Sequence, residues 1–340
     1  MCLIRIFAIT TMLNPSAKLV ENIYDLKSLE QKPTRDGYGK GVVAAGEKDG
    51  RIVVLCADLA ESTRSHWFKE KFPSRYIELG VAEQNMATIA SGLANYGKIP
   101  FISSYAAFSP GRNNEQIRTT IALNNLGVKI VGAHAGVSVG PDGATHQALE
   151  DAGLMRMMPR MTVLIPCDAV EAEKTTIAAA FHPGPVYIRL GREKSPVFTT
   201  KDTPFEIGKA ILLREGKDVS IIGAGMLLYN ALVAAEELSK EGIDAEVINC
   251  HTLKPIDKET IVASAQKTGA VVSVEEHQIY GGLGSAVAEV LAQNHPAPME
   301  FIGMHDRFGE SGEPSELIEH FGMGVGSIKE AVKKAVLRKK

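Results

Sequence analysis

Short apolar runs alternate with longer stretches of helical periodicity from Thr34 almost to the C-terminus, and this alternation constrains the fold more than any other feature of the 340 residues. A run that is apolar at every position, rather than at every second one, belongs to a strand covered on both faces. Parallel strands joined through helices are covered in that way. Runs at 52–56, 99–102, 128–131, 163–165 and 186–188 are therefore expected as strands of one sheet, with helices over 34–48, 81–95, 114–123 and 169–180 between them. Residues 81–95 put Met86, Ile89, Ala90 and Leu93 on one face, and Gly97 follows as a stop.

Between Arg192 and Ile207 the pattern lapses into Lys194-Ser-Pro196 and Lys201-Asp-Thr-Pro204, which offers little to bury and reads as a linker. A second series follows, with strands at 219–222, 245–248 and 270–274 and helices running to Ser239, after Pro255, and over 283–291, 314–321 and 327–337. The expected fold class is α/β: two consecutive domains, each with a mostly parallel, helix-covered sheet. The division predicted is an N-terminal extension at 1–27, a first domain at 28–195, a linker at 196–206 and a smaller second domain at 207–340.

Composition narrows the function. Net charge is −3 and the lysines and arginines are scattered, so no nucleic-acid footprint is visible and any anionic ligand must meet individually placed cations. Cys2, Cys56, Cys167 and Cys250 lie far apart with no C-x-x-C pair. They are expected as reduced core thiols, which favours a cytoplasmic protein. The apolar stretch 2–13 is interrupted by Arg5, and no run approaches the roughly 18 residues that a membrane span needs.

Three stretches carry chemistry. In Gly80-Val-Ala-Glu83-Gln-Asn-Met86, Glu83 falls in the first turn of the expected helix, where free backbone N–H groups favour a carboxylate. Alone, that placement is explained by helix-start electrostatics. Gly140-Pro-Asp142-Gly-Ala-Thr-His146-Gln follows the strand at 128–131, and the Asp-Gly pair reads as a tight turn. A polar turn beyond a strand end is also where α/β folds bind ligands, and both Asp142 and His146 can trade hydrogen bonds with sugar hydroxyls. Tyr105-Ala-Ala-Phe108 sets two aromatics three apart just after a strand, a spacing that suits core packing as well as a ring cradle.

Taken in register, these stretches resemble the transketolase family, and the likeness extends through Asp58-Leu-Ala-Glu-Ser62, Ile188-Arg-Leu-Gly-Arg192, Val274-Glu-Glu-His277 and Gly281-Gly-Leu-Gly284. The resemblance implies a pyrimidine-binding domain followed by a transketolase C-terminal-like domain, with thiamin diphosphate as cofactor. It implies that Glu83 addresses the aminopyrimidine ring, that Tyr105 and Phe108 cradle it, and that Asp58 lies near it. By the same match Asp142 and His146 face the sugar, and Arg35, Ser62 and Arg192 grip the phosphate of a sugar phosphate. Glu83, His146 and Asp142 are the expected catalytic set.

The family's Gly-Asp-Gly motif, which holds the diphosphate through a divalent metal, occurs nowhere in the chain. The resemblance therefore implies a split enzyme. A partner N-terminal subunit would carry that motif and the Mg2+ ligands, and this chain, a homodimer within an α2β2 heterotetramer, would contribute no metal ligand. The expected activity is transfer of a two-carbon ketol unit from xylulose 5-phosphate to an aldose phosphate. Half of a deoxyxylulose phosphate synthase, the β subunit of a 2-oxo-acid dehydrogenase and an orphan regulatory module of the same fold are the alternatives. Two departures stand out: Ala135 follows His134 where transketolases carry an aspartate, and Gly111 stands where an aromatic often completes the ring cradle.

Overall fold

In a computed structural model, which describes residues 12–339, the apolar runs assemble into two principal sheets. The strands are β1 (Gln31–Lys32), β2 (Ile52–Cys56), β3 (Tyr76–Glu78), β4 (Ile99–Tyr105), β5 (Lys129–Ala133), β6 (Thr162–Leu164), β7 (Val186–Arg189), β8 (Ser195–Pro196), β9 (Ile211–Arg214), β10 (Val219–Gly223), β11 (Ala245–Asn249), β12 (Thr252–Lys254), β13 (Val271–Gln278) and β14 (Met299–Met304). The first sheet runs β12-β6-β7-β5-β4-β2-β3 and is parallel except at β12. The second runs β14-β13-β10-β11-β9 and is parallel except at β9. The expected α/β class, two domains with mostly parallel, helix-flanked sheets, is what the chain forms.

Strands β2, β5, β10 and β11 are buried along their whole length, as expected of strands clad by helices on both faces. Helices Thr34–Lys48 and Ala169–Phe181 pack on the same side of the first sheet. Their contact is close because small residues permit it: a Cβ added to Gly37 would run into the Ala169 carbonyl, and one added to Gly41 would lie 2.7 Å from Thr176 Cβ. Helix Glu83–Asn95 packs on the opposite side, burying Met86, Ala87 and Ala90.

One segment behaves differently from its reading. The stretch expected to bury little instead folds onto the body: Ser195–Pro196 pairs antiparallel with Gln31–Lys32, and Phe198 is fully buried. Asp168 holds it there, accepting from the backbone N–H groups of Phe198 (2.9 Å) and Thr199 (2.7 Å) while also capping helix Ala169–Phe181. The segment ahead of residue 28 is likewise docked from residue 12 onward. Asn14 N–H donates to the Leu213 carbonyl at 2.9 Å, and Ala17 and Ile23 are buried in the second domain's core. Cys2, Arg5 and most of the apolar stretch 2–13 lie outside the described residues.

The domains share more than a connection. After β11 the chain crosses to the first sheet, where β12 pairs antiparallel with β6, Thr252 opposite Leu164 and Lys254 opposite Val163. Cys56, Cys167 and Cys250 are buried free thiols, and burial raises the pKa of each. No described helix is long and apolar enough to cross a membrane.

Candidate active site

The first sheet sets its site at the C-terminal ends of four strands. β2 leads to Asp58 and Ser62, β4 ends in Tyr105, β5 delivers His134, and β7 leads to Arg192. The chain order reverses at β2, with β3 on one side and β4 on the other, and a reversal of this kind opens a crevice beyond the strand ends.

Glu83 is the first residue of helix Glu83–Asn95 and is 1% exposed. Its Oε2 accepts from Arg112 Nη1 at 2.6 Å and its Oε1 from Ser104 Oγ at 3.5 Å, while Asn113 Nδ2 donates to its backbone carbonyl at 3.1 Å. A carboxylate is thus fixed at a helix N-terminus, braced on three sides.

Beside it stand the aromatics. The Tyr105 and Phe108 rings lie parallel, centroids 6.0 Å apart with 6° between planes. His134 stacks on Tyr105 at 3.9 Å, and His146 meets both rings edge-on, at 6.0 Å from Tyr105 and 5.3 Å from Phe108. Gly111, which stands where an aromatic often completes the ring cradle, has no room for a side chain, because a Cβ there would strike the Ala107 carbonyl. The guanidinium of Arg112 lies instead over Phe108, 4.6 Å from the ring centre.

On the far side of Tyr105 is a positive cluster. Arg35 Nη1 donates to the Ser62 carbonyl at 2.8 Å and to His134 Nε2 at 3.2 Å. A guanidinium has no acceptor, so His134 accepts at Nε2 and carries its hydrogen on Nδ1. Burial, reinforced by the charges of Arg35, Arg192 and Arg64, lowers the His134 pKa to about 2, so the ring is neutral. Burial and Arg64 also lower the Arg35 pKa. Arg35 Nε and His134 Nδ1 are buried donors with no partner among the described residues. Arg192 Nη1 donates to the Val139 carbonyl at 2.6 Å and lies 3.4 Å from Asp142 Oδ1.

The loop carrying Asp142 and His146 is held from behind. Gln147 Nε2 donates to the carbonyls of Val137 (3.1 Å), Gly140 (3.3 Å) and, across the domain boundary, Glu310 (2.8 Å). Glu276 accepts from Ser138 N–H at 2.6 Å, and His277 Nε2 accepts from Gly153 N–H at 3.2 Å. Glu275 caps helix Leu283–Asn294 through the N–H groups of Leu283 and Gly284, at 2.7 and 2.8 Å. Residues 274–277 are therefore a joint between domains rather than a wall of the site.

The structure brings together Glu83, Tyr105, Phe108 and His146 on one side, and Arg35, Ser62, Arg192 and Asp142 on the other. Asp58 stands apart: it is exposed, has a positive φ of 58°, and its N–H donates to Glu78 Oε1 at 2.8 Å. Arg112 and His134 were absent from the candidate residues. His134 directly follows the apolar run of β5, so its place at a parallel strand's C-terminal end was a usable signal; Arg112 gave none.

The sequence of residues 30–197 matches the transketolase pyrimidine-binding domain, and residues 208–328 match the transketolase C-terminal domain. The chain is 43% identical over 311 residues to a 6-deoxy-6-sulfo-D-fructose transketolase subunit, SqwH, of Clostridium sp. (strain MSTE9), covering 92% of this chain and 97% of that one. The chain belongs to the transketolase family. A putative transketolase C-terminal section of Methanocaldococcus jannaschii is 44% identical, over 87% of this chain and 94% of its own length. A solved structure described as a split gene transketolase, inactive beta4 tetramer, superposes with a TM-score of 0.85 at 47% identity, covering 91% of this chain and 99% of that one. Membership makes this a transketolase-type transferase chain of a family that depends on thiamin diphosphate.

Proposed function

We propose that this chain is the C-terminal subunit of a split transketolase that moves a two-carbon ketol unit between sugar phosphates. The observation that carries the reading is the buried Glu83 carboxylate beside the parallel rings of Tyr105 and Phe108, with unpartnered donors of Arg35 and His134 on the far side of Tyr105.

These residues fit the pyrimidine half of thiamin diphosphate, a flat heterocycle that needs an aromatic platform and a carboxyl partner. When bound, thiamin diphosphate supplies a carbon nucleophile that can break and remake the bond beside a ketose carbonyl. Glu83 would hydrogen-bond a ring nitrogen and hold the hydrogen there; Tyr105 and Phe108 would orient the ring and exclude water from its face. Among the described residues no group of three or more His, Cys, Asp and Glu side chains is placed to hold a metal. The Mg2+ ligands are assigned to an N-terminal partner subunit with a Gly-Asp-Gly motif, in an α2β2 heterotetramer. The similarity to a transketolase subunit and to a split gene transketolase tetramer supports a partner N-terminal subunit and a tetramer.

His146 and Asp142 would bind sugar hydroxyls, while Arg35, Ser62, Arg192 and the neutral His134 would receive the phosphate tail; Asp58, which stands apart from both groups, is given no part. A phosphate accepts from buried N–H donors without demanding a further cation, so a His134 held neutral still serves as a donor.

The test is reconstitution. Chain and partner are mixed with Mg2+, thiamin diphosphate, xylulose 5-phosphate and ribose 5-phosphate, and product sugars are counted. Activity should require both subunits, and Glu83→Gln should cut turnover by about 10² to 10⁴. Full activity of this chain alone, or a near-normal rate for the variant, would refute the reading. A second reading follows from the sulfo-sugar relative: a sulfonate is also an oxyanion and suits the same donors. A higher kcat/KM for 6-deoxy-6-sulfo-D-fructose than for xylulose 5-phosphate would favour it.

A further inference from the structure

Arg112 has no place in the reading above, yet its position is singular. It pairs with Glu83 Oε2 at 2.6 Å and lies over Phe108 at 4.6 Å. Those are the two partners, carboxyl and aromatic face, assigned to the cofactor's ring. Resting on that assignment, we propose that Arg112 is a built-in occupant of the pyrimidine site, a flat cationic group that makes the ring's contacts itself and competes with it for entry.

The chemistry of the side chain suits the part. A guanidinium is planar, stacks on an aromatic face and donates to a carboxylate, which separates it from the point charge of a lysine. Gly111 cannot carry a side chain against the Ala107 carbonyl, and it is the next residue that lies over Phe108. The two partners differ sharply in exposure. Glu83 is 1% exposed at its side chain and braced by Ser104, whereas Arg112 is 46% exposed. The carboxylate is therefore the fixed member of the pair and the arginine the movable one, able to swing into water without disturbing the core.

The arrangement keeps a buried carboxylate paired until a better ligand arrives. An unpaired charge at that depth would be costly, and the arginine removes the cost while leaving the ring a displaceable competitor rather than a covered pocket.

The experiment measures binding, not turnover. The full-length chain is titrated by calorimetry and by ligand-detected NMR with thiamin diphosphate and with 4-amino-2-methylpyrimidine, the ring without its charged tail. Arg112→Ala should tighten both ligands about tenfold, the size of one charge-assisted hydrogen bond no longer to be displaced. Arg112→Lys, which keeps the charge but loses the flat stacking face, should fall between. Unchanged circular dichroism and melting temperature would show that either variant is folded. If Arg112→Ala binds as the parent does, or more weakly, the inference is overturned. Glu83→Gln separates the two ideas: it should weaken ring binding whether residue 112 is Arg or Ala. Should it weaken binding while Arg112→Ala changes nothing, the inference fails and the function stands. If Glu83→Gln has no effect, or no form of the chain binds the ring either alone or mixed with the N-terminal partner and Mg2+, both fall together.

Discussion

Arg189→Leu tests the ion pair beneath the site. Arg189 Nε donates to Asp151 Oδ1 at 3.2 Å and to Oδ2 at 2.9 Å, and Tyr187 Oη donates to Oδ2 at 2.5 Å. Arg189 Nη2 also reaches the carbonyls of Ala148, at 3.3 Å, and Glu276, at 2.8 Å, one from the site loop and one from the second domain. With Asp151 1% exposed, removing the guanidinium leaves a buried carboxylate whose remaining partner is a phenol, a loss of about 3–5 kcal/mol. Unfolding entropy of about 2.1 cal/mol/K per residue over 340 residues gives about 0.7 kcal/mol/K, so Tm should fall by about 4–7 °C if the chain melts as one unit.

The pH dependence carries the sign of the argument. In the parent, burial pushes the Asp151 pKa up, but Arg189, His277 and Tyr187 together outweigh it and the net shift is downward. The pair therefore contributes stability above the unfolded carboxyl pKa of about 3.9, and that contribution fades as pH falls through the lower folded value. In Arg189→Leu burial is opposed only by Tyr187 and His277, so the folded carboxyl should bind its proton more tightly than the unfolded one. The deficit should then be full at neutral pH and shrink toward pH 4. Urea melts from pH 4 to 8 on the parent, Arg189→Leu, Asp151→Leu and the double variant provide the check. The double variant should lose less than Arg189→Leu alone, because no charge is stranded. A deficit under about 1 kcal/mol at pH 7, or one that grows in acid, would refute the reasoning.

Asp168→Ala removes a helix cap and strands the buried N–H groups of Phe198 and Thr199, so urea melts should show a loss of about 2–4 kcal/mol and limited proteolysis should cut first between 195 and 204. Lys129, whose Nζ donates to the carbonyls of His182 at 2.7 Å and Gly184 at 3.0 Å, has its pKa lowered by burial to about 7. The folded chain therefore binds fewer protons than the unfolded one between pH 7 and about 10.4, and stability from this group rises across that window. Lys129→Met should flatten the rise in urea melts taken from pH 7 to 10.

Much of the architecture was readable because long apolar runs have one outcome. Residues 52–56 have no polar side to show to water, and 81–95 carry a single apolar stripe ended by a glycine. What escaped were elements made by their neighbours. Tyr76-Ile-Glu78 is too short for periodicity and becomes a strand because the edge of β2 accepts it. The predicted helix at 114–123 is in part a π-helix over Ile117–Ala122, a widening that residue types do not announce. Ser195–Pro196 and Thr252–Lys254 are strands only because a distant segment pairs with them. In the candidate site, Glu83 and His146 could be proposed because their stretches are distinctive. Arg112 could not, since its meaning depends on a carboxylate 29 positions earlier in the chain. Nor did the linker's composition reveal Phe198, whose burial is decided by the carboxylate of Asp168.

The single strand that the second domain lends to the first sheet changes what can be cut from this chain. β6 is followed at the sheet's margin by a segment encoded some ninety positions later, Thr252 against Leu164. A fragment stopped near residue 206 would leave the row of β6 open, a template for pairing with another copy. Such a fragment should self-associate, and a hinge between the two halves would first have to unzip that seam. Substrate-driven movement should therefore be sought in loops and side chains, with the two sheets carried along as one rigid frame.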